Sequence, residues 1–169
     1  LVNEHPDPQV EHWQTQAGDD NPHYGGDIYT NGINTTRGKA AEAIANLVLK
    51  DPAYIKNFDA TLARMIQDPS SAVLSCVART IRAVTHHDAE LGLSLLSQMK
   101  VAEDALLATH HVEALIGSAI VGHFQQVRHL VERMLRSREP VVAKSGARLA
   151  ALSFLYQPEA EKLEAEAFA

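Results

Sequence analysis

Two stretches of the chain carry the residue types that metal and acid–base chemistry use. Thr85-His86-His87-Asp88-Ala89-Glu90 and Thr109-His110-His111-Val112-Glu113 each set a carboxylate three residues past a histidine, His87 with Glu90 and His110 with Glu113. Ligands on one helix share a face only at spacings of three or four. Adjacent histidines point about 100° apart, so neither pair chelates as a pair. His110 and Glu113 do share a face, opposite the Ala108, Val112 and Leu115 stripe, and read as solvent-facing. A shared site would need His86 or His87 to approach His110 from a neighbouring element, and no cysteine supplies a further ligand. The expectation is no metal and no cofactor, with a histidine-based metal-dependent enzyme kept as one alternative. Cys76 lies between Val73 and Val77 at helical spacing and reads as a small apolar filler. No base partner is indicated for it as a nucleophile.

The basic residues form a second constellation. Ser75, Arg79, Arg82 and His86 cluster on one helical face, opposite Val73, Val77, Ile81 and Val84. Lys144 and Arg148 share a face on a later helix. Residues 128–148 hold Arg128, Arg133, Arg136, Arg138, Lys144 and Arg148 against Glu132 and Glu139. Arg79, Arg82, Lys144 and Arg148 are the candidate partner-binding residues. A protein partner, or a neighbouring domain of the same parent chain, is the expected ligand. Nucleic acid bound through 128–148 is an alternative, and it would call for a stronger basic excess and exposed aromatics.

Composition sets limits on the whole. The chain has 169 residues, 46% of them hydrophobic and only 5% aromatic, a balance that favours close-packed helices over sheets. Its single cysteine excludes an internal disulfide framework and fits a reducing, cytoplasmic setting. No apolar run approaches the roughly 18 residues of a membrane span, so no membrane partner is expected. No basic-then-apolar leader opens the chain, and its start at Leu1 suggests a processed chain or a piece of a longer one. The net charge of −6 is uneven: residues 1–33 hold six acids and no Lys or Arg, whereas 34–156 hold fourteen bases against eleven acids. The body is mildly basic and the tails acidic.

The elements that must position these residues follow from periodicity. Residues 1–33 lack a helical period and are punctuated by prolines and glycines, predicting an irregular arm that Trp13, Tyr24 and Tyr29 could pin. Beyond it, apolar stripes at helical spacing predict helices starting near 34, 52, 70, 88, 103, 124, 139 and 158. Asp51-Pro52 and Asp88 supply start signals, and Asp68-Pro69 a stop. Alternate starts recur every ~34–36 residues, the mark of stacked helix pairs. Direct comparison agrees: LARMIQDPSSAVLSCVAR at 62–79 lies over VERMLRSREPVVAKSGAR at 131–148, matching Met65 to Met134, Val73 to Val142 and Arg79 to Arg148. The 24-residue spacing of the histidine stretches is out of step with that period, so they are not repeat equivalents.

RMIQDPSSAV followed by an apolar helix resembles the HEAT repeat. The resemblance covers 34–156 as pairs at about 52–84, 88–121 and 124–156, with a half-repeat at each end. It implies an all-α fold, an α-α superhelix of antiparallel helix pairs behind the arm, whose second helices line a binding surface. The family often places an arginine just after the valine that opens the second helix, partnering the aspartate of the turn. Here that position is Leu74 and then Ala143, and only Arg37 in the first half-repeat keeps it. GGDIYTNGINTTRGKAAEAI also resembles the start of helical-repeat regions in large bacterial multidomain proteins. No G-x-x-x-x-G-K-[ST] motif occurs, so nucleotide hydrolysis would lie outside this chain. The function expected is a non-enzymatic protein-interaction scaffold or sensor segment.

Overall fold

Short polar residues start the helices. Asp27 accepts from the backbone of Tyr29 and Thr30, Thr35 from Gly38 and Ser70 from Val73. Asp51 accepts from the Ala53 amide at 2.8 Å while Pro52 holds helical angles behind it. Asp88 accepts from the Leu91 amide at 3.0 Å. Each cap satisfies a donor that the first helical turn leaves without a partner.

A computed structural model describes residues 27–156. The expected pinning by Trp13 and Tyr24, and the acidic helix expected from 158, lie outside the described residues. Among those described, all regular structure is helical, and no helix is long and apolar enough to cross a membrane. The chain divides into two units between Ala102 and Glu103. The first holds α1 (Ile28–Ile33), α2 (Thr36–Lys50), α3 (Ala53–Met65), α4 (Ser71–His87) and α5 (Ala89–Gln98). The second holds a 3₁₀ segment (Asp104–Ala108), α6 (His110–Leu135) and α7 (Pro140–Tyr156).

The core of the first unit is α4. Every residue from Ser71 to Ala78 is buried, so this helix is enclosed nearly all round in its first half. The polar face expected to start at Ser75 therefore starts only at Arg79: Ser75 is fully buried and its hydroxyl donates to the Ala72 carbonyl. α2 runs beside α4 in the same direction. Arg37 meets Asp68 just ahead of α4, Thr80 donates to the Ala41 carbonyl, and Arg79 reaches Glu42 and Asn46. The end of α5 ties back to the turn after α3, with the Lys100 amide donating to the Ile66 carbonyl.

The arm expected over 1–33 is helical in its last six residues. α1 is short and unpatterned; Asp27 caps its start, and near its end Gly32 lies directly on the Ala72 carbonyl, with a Cβ built there 2.7 Å from the Cys76 sulfur. Only glycine allows that approach.

In the second unit the continuous α6 is two helices joined at a kink, where His123 has non-helical angles (φ −136°, ψ 29°). The break falls where a new helix is expected, at 124. The helix expected from 103 begins instead as the 3₁₀ segment, and α-helix starts only at His110. α7 packs on α6 through Gly146, whose position for a Cβ lies 2.8 Å from the Leu135 amide nitrogen and the Met134 Cβ.

The internal match carries through to burial. Met65, Val73, Cys76 and Ile81 are buried in the first unit, and their counterparts Met134, Val142, Ser145 and Ala150 are buried in the second. The unit boundary falls inside the expected second pair, 88–121, leaving α5 in the first unit and the 3₁₀ segment and early α6 in the second.

Candidate functional site

The four basic candidates divide into two kinds. Arg79 is three-quarters buried, and its Nη1 donates to Glu42 Oε2 at 2.7 Å and to the Glu42 carbonyl at 3.2 Å. Its Nη2 donates to Asn46 Oδ1 at 2.7 Å. Arg148 does the equivalent in the second unit: its Nη2 donates to Glu113 Oε1 at 2.7 Å, Glu113 Oε2 at 2.9 Å and Ser145 Oγ at 2.9 Å. The pairs span 37 and 35 residues, close to one repeat. Both arginines clamp one helix to another that runs alongside it. Arg148 is nevertheless 59% exposed; Arg82 and Lys144 are exposed as well and differ in having no ion pair among the described residues.

The clamp at Arg79 extends inward. Tyr29 on α1 hydrogen-bonds Glu42, and burial followed by the charge of Glu42 raises its hydroxyl pKa. Below lies Cys76, fully buried, with its thiol pushed up to about 12 by burial and then by the charge of Glu42. A thiol in that state is protonated at neutral pH and poorly nucleophilic. This agrees with its reading as a filler.

Glu113, expected on a solvent-facing surface with His110, is half-buried and engaged by Arg148 and Ser145. The one-helix projection placed it outward because the helix that covers it, α7, follows a repeat later. His86, His87 and His110 are exposed, and each pair of adjacent rings meets edge-on, at 4.9 Å between centroids for His86–His87 and 5.0 Å for His110–His111. Among the described residues no group of three His, Cys, Asp or Glu side chains is arranged to hold a metal ion.

Four of the six bases in 128–148 face carboxylates of the chain, two of them sharing Glu132. Arg128 pairs with Glu132 at 2.8 Å, Arg133 with Asp104 at 2.8 Å, and Arg136 with Glu132 at 3.9 Å. Asp104 is held below its usual carboxylate range, first by a hydrogen bond from Ser137 and then by Arg133. With Arg148 on Glu113, this leaves Arg138 and Lys144 as the members without an ion pair among the described residues.

The first unit also has an open groove of about 450 Å³ between α3 and the α4–α5 turn. Pro52, Ile55 and Leu91 line it with apolar surface, and Lys56, Asp59 and His87 stand around it. The first half of α3 contributes no buried residue, which leaves this groove open.

No protein-family model matches the chain, and neither a curated protein nor a solved structure does.

The clamping role of Arg79 and Arg148 was missed in the sequence, yet it left a trace there. The two arginines align in the internal sequence match, and each has a glutamate well before it in the chain, Glu42 37 residues and Glu113 35 residues earlier.

Proposed function

We propose that the chain is a HEAT-like helical-repeat interaction module, a non-enzymatic scaffold or sensor segment that binds protein through the outward surface of its second-type helices. The observation that carries this reading is the division among the basic residues. Arg37, Arg79, Arg133 and Arg148 hold helices together, while Arg82 and Lys144 stand exposed on α4 and α7 with no internal ion pair among the described residues. Internally paired charges are already compensated, and unpaired exposed ones are available to a partner. The Asp–Arg contact of the resemblance is represented by Arg37 and Asp68, which supports the HEAT-like assignment at one position.

The nucleic-acid alternative is less favoured, because four of the six bases in 128–148 face carboxylates of the chain, two of them sharing Glu132. The metal-dependent alternative has no three-residue ligand group among the described residues to build on.

The test is affinity recovery from lysate of the source organism with the full chain as bait, before and after nuclease treatment. A protein partner recovered in both cases, and weakened by Arg82→Glu or Lys144→Glu, supports the reading. Recovery that disappears with nuclease, or that ignores both substitutions, contradicts it.

A further inference from the structure

α2 and α4 share an outward surface whose layout is set by Arg79. Because that side chain reaches both Glu42 and Asn46, the exposed stripe of α2 lies beside the exposed stripe of α4. On α2 the stripe is Lys39, Ala43, Asn46 and Lys50, spaced to fall on one helical face. On α4 it is Arg82 and His86, one turn apart. Across the whole of both helices the sole carboxylate is Glu42, and Arg79 neutralises it. The acids at the far end, Asp51 and Asp88, are engaged as caps of the following helices.

Helix stability does not account for this bias. Lys50 and His86 sit in last turns, where a cation suits the helix dipole. Lys39 sits in the first turn of α2, at the positive end of the dipole, and neither helix has an acid in its first turn. A lysine there is locally unfavourable. Arg82 lies in the interior of α4, and its cation serves no internal pair among the described residues.

We propose that this α2–α4 face binds an acidic peptide segment of a protein partner. The inference rests on the interaction-module reading above and adds the place and the charge of the ligand. Lys39 and Lys50 are separated by eleven residues of helix, about 16 Å, which an extended peptide covers in about five residues. Acidic side chains on alternate residues of such a segment face Lys39, Lys50 and Arg82 together. Leu49, 45% exposed, and Ala43 give the peptide a small apolar contact. Neither α2 nor α4 carries a Phe, Tyr or Trp, and His86 is the one ring on this face, which offers single-stranded nucleic acid little of the base stacking it uses.

The experiment is fluorescence anisotropy of the full chain with a labelled glutamate-rich peptide, with a lysine-rich peptide and a single-stranded DNA as parallel probes. Lys39→Glu/Arg82→Glu is expected to weaken the glutamate-rich peptide about tenfold or more, while Arg138→Glu/Lys144→Glu in the second unit changes it little. All four residues are exposed, and an unchanged melting temperature verifies that each variant is folded. Equal effects of the two double variants, or no binding of the acidic peptide, would overturn the inference. DNA binding that exceeds peptide binding and falls with the same first-unit variant would overturn it as well. If the peptide fails while partner recovery still depends on Arg82, the acidic-segment inference falls and the module reading stands. If the peptide binds this face but no protein partner is recovered, the module reading falls instead.

Discussion

Arg37 and Asp68 form a buried ion pair that joins α2 to the start of α4. Arg37 Nε lies 2.9 Å from Asp68 Oδ2, and its Nη2 donates to Oδ1 at 3.3 Å, with side chains only 9% and 7% exposed. The same carboxylate accepts from the Ser70 amide at 2.9 Å, and Ser70 in turn caps α4. One aspartate therefore fixes both the helix start and its neighbour. Arg37→Met strands a buried carboxylate and is expected to cost about 3–5 kcal/mol in urea unfolding. Arg37→Met/Asp68→Asn should cost clearly less than the sum of the single changes, because the stranded charge is gone. Additive losses would show that the two residues act independently.

Helix contact at glycine gives a second prediction. Gly146→Ala brings a Cβ within 2.8 Å of Leu135 backbone and Met134, and should lose about 1–3 kcal/mol through overpacking. Gly122 has no heavy atom within 4 Å of a built Cβ, so Gly122→Ala should be neutral or stabilising by up to about 1 kcal/mol. Thermal unfolding of the two variants checks the contrast, and equal effects would contradict the packing of α6 on α7.

Cys76 sets a pH dependence with a definite sign. Its folded-state pKa is raised from 9.0 to about 12, so above pH 9 the unfolded chain loses the thiol proton first. The unfolded state then binds fewer protons, and stability falls with rising pH. This contribution is whole below pH 9 and lost progressively up to about 12. Denaturation midpoints measured across that window should slope downward in the wild type and less so in Cys76→Ala. The native thiol should also resist alkylation at neutral pH and react after unfolding; fast native labelling would contradict its burial.

Much of the helical plan was readable because burial repeats along the chain. Met65 and Met134, and Val73 and Val142, are buried at matching places, and Asp51 and Asp88 cap where expected. α1 is not legible in the sequence because IYTNGI has no apolar period and packs through the fit of Gly32 on Ala72, a contact between distant residues. Glu113 and Ser75 were placed outward for the same reason: projection of a single helix shows its apolar stripe but not which neighbours enclose the polar side. The internal contacts of Arg79 and Arg148 are not legible in the sequence, since a partner 37 or 35 residues away is invisible within one helix.

The central claim is that Arg79 is a clamp and Arg82, three residues on, belongs to a binding face. Melting temperature and partner recovery measured together on Arg79→Met and Arg82→Glu test it most directly. Arg79→Met should lower the melting temperature, since its three-quarters-buried pair with Glu42 and its bond to Asn46 are lost. Arg82→Glu should leave melting unchanged and reduce partner recovery about tenfold. Full recovery by a folded Arg82→Glu chain, or a melting loss as large as that of Arg79→Met, would contradict the account.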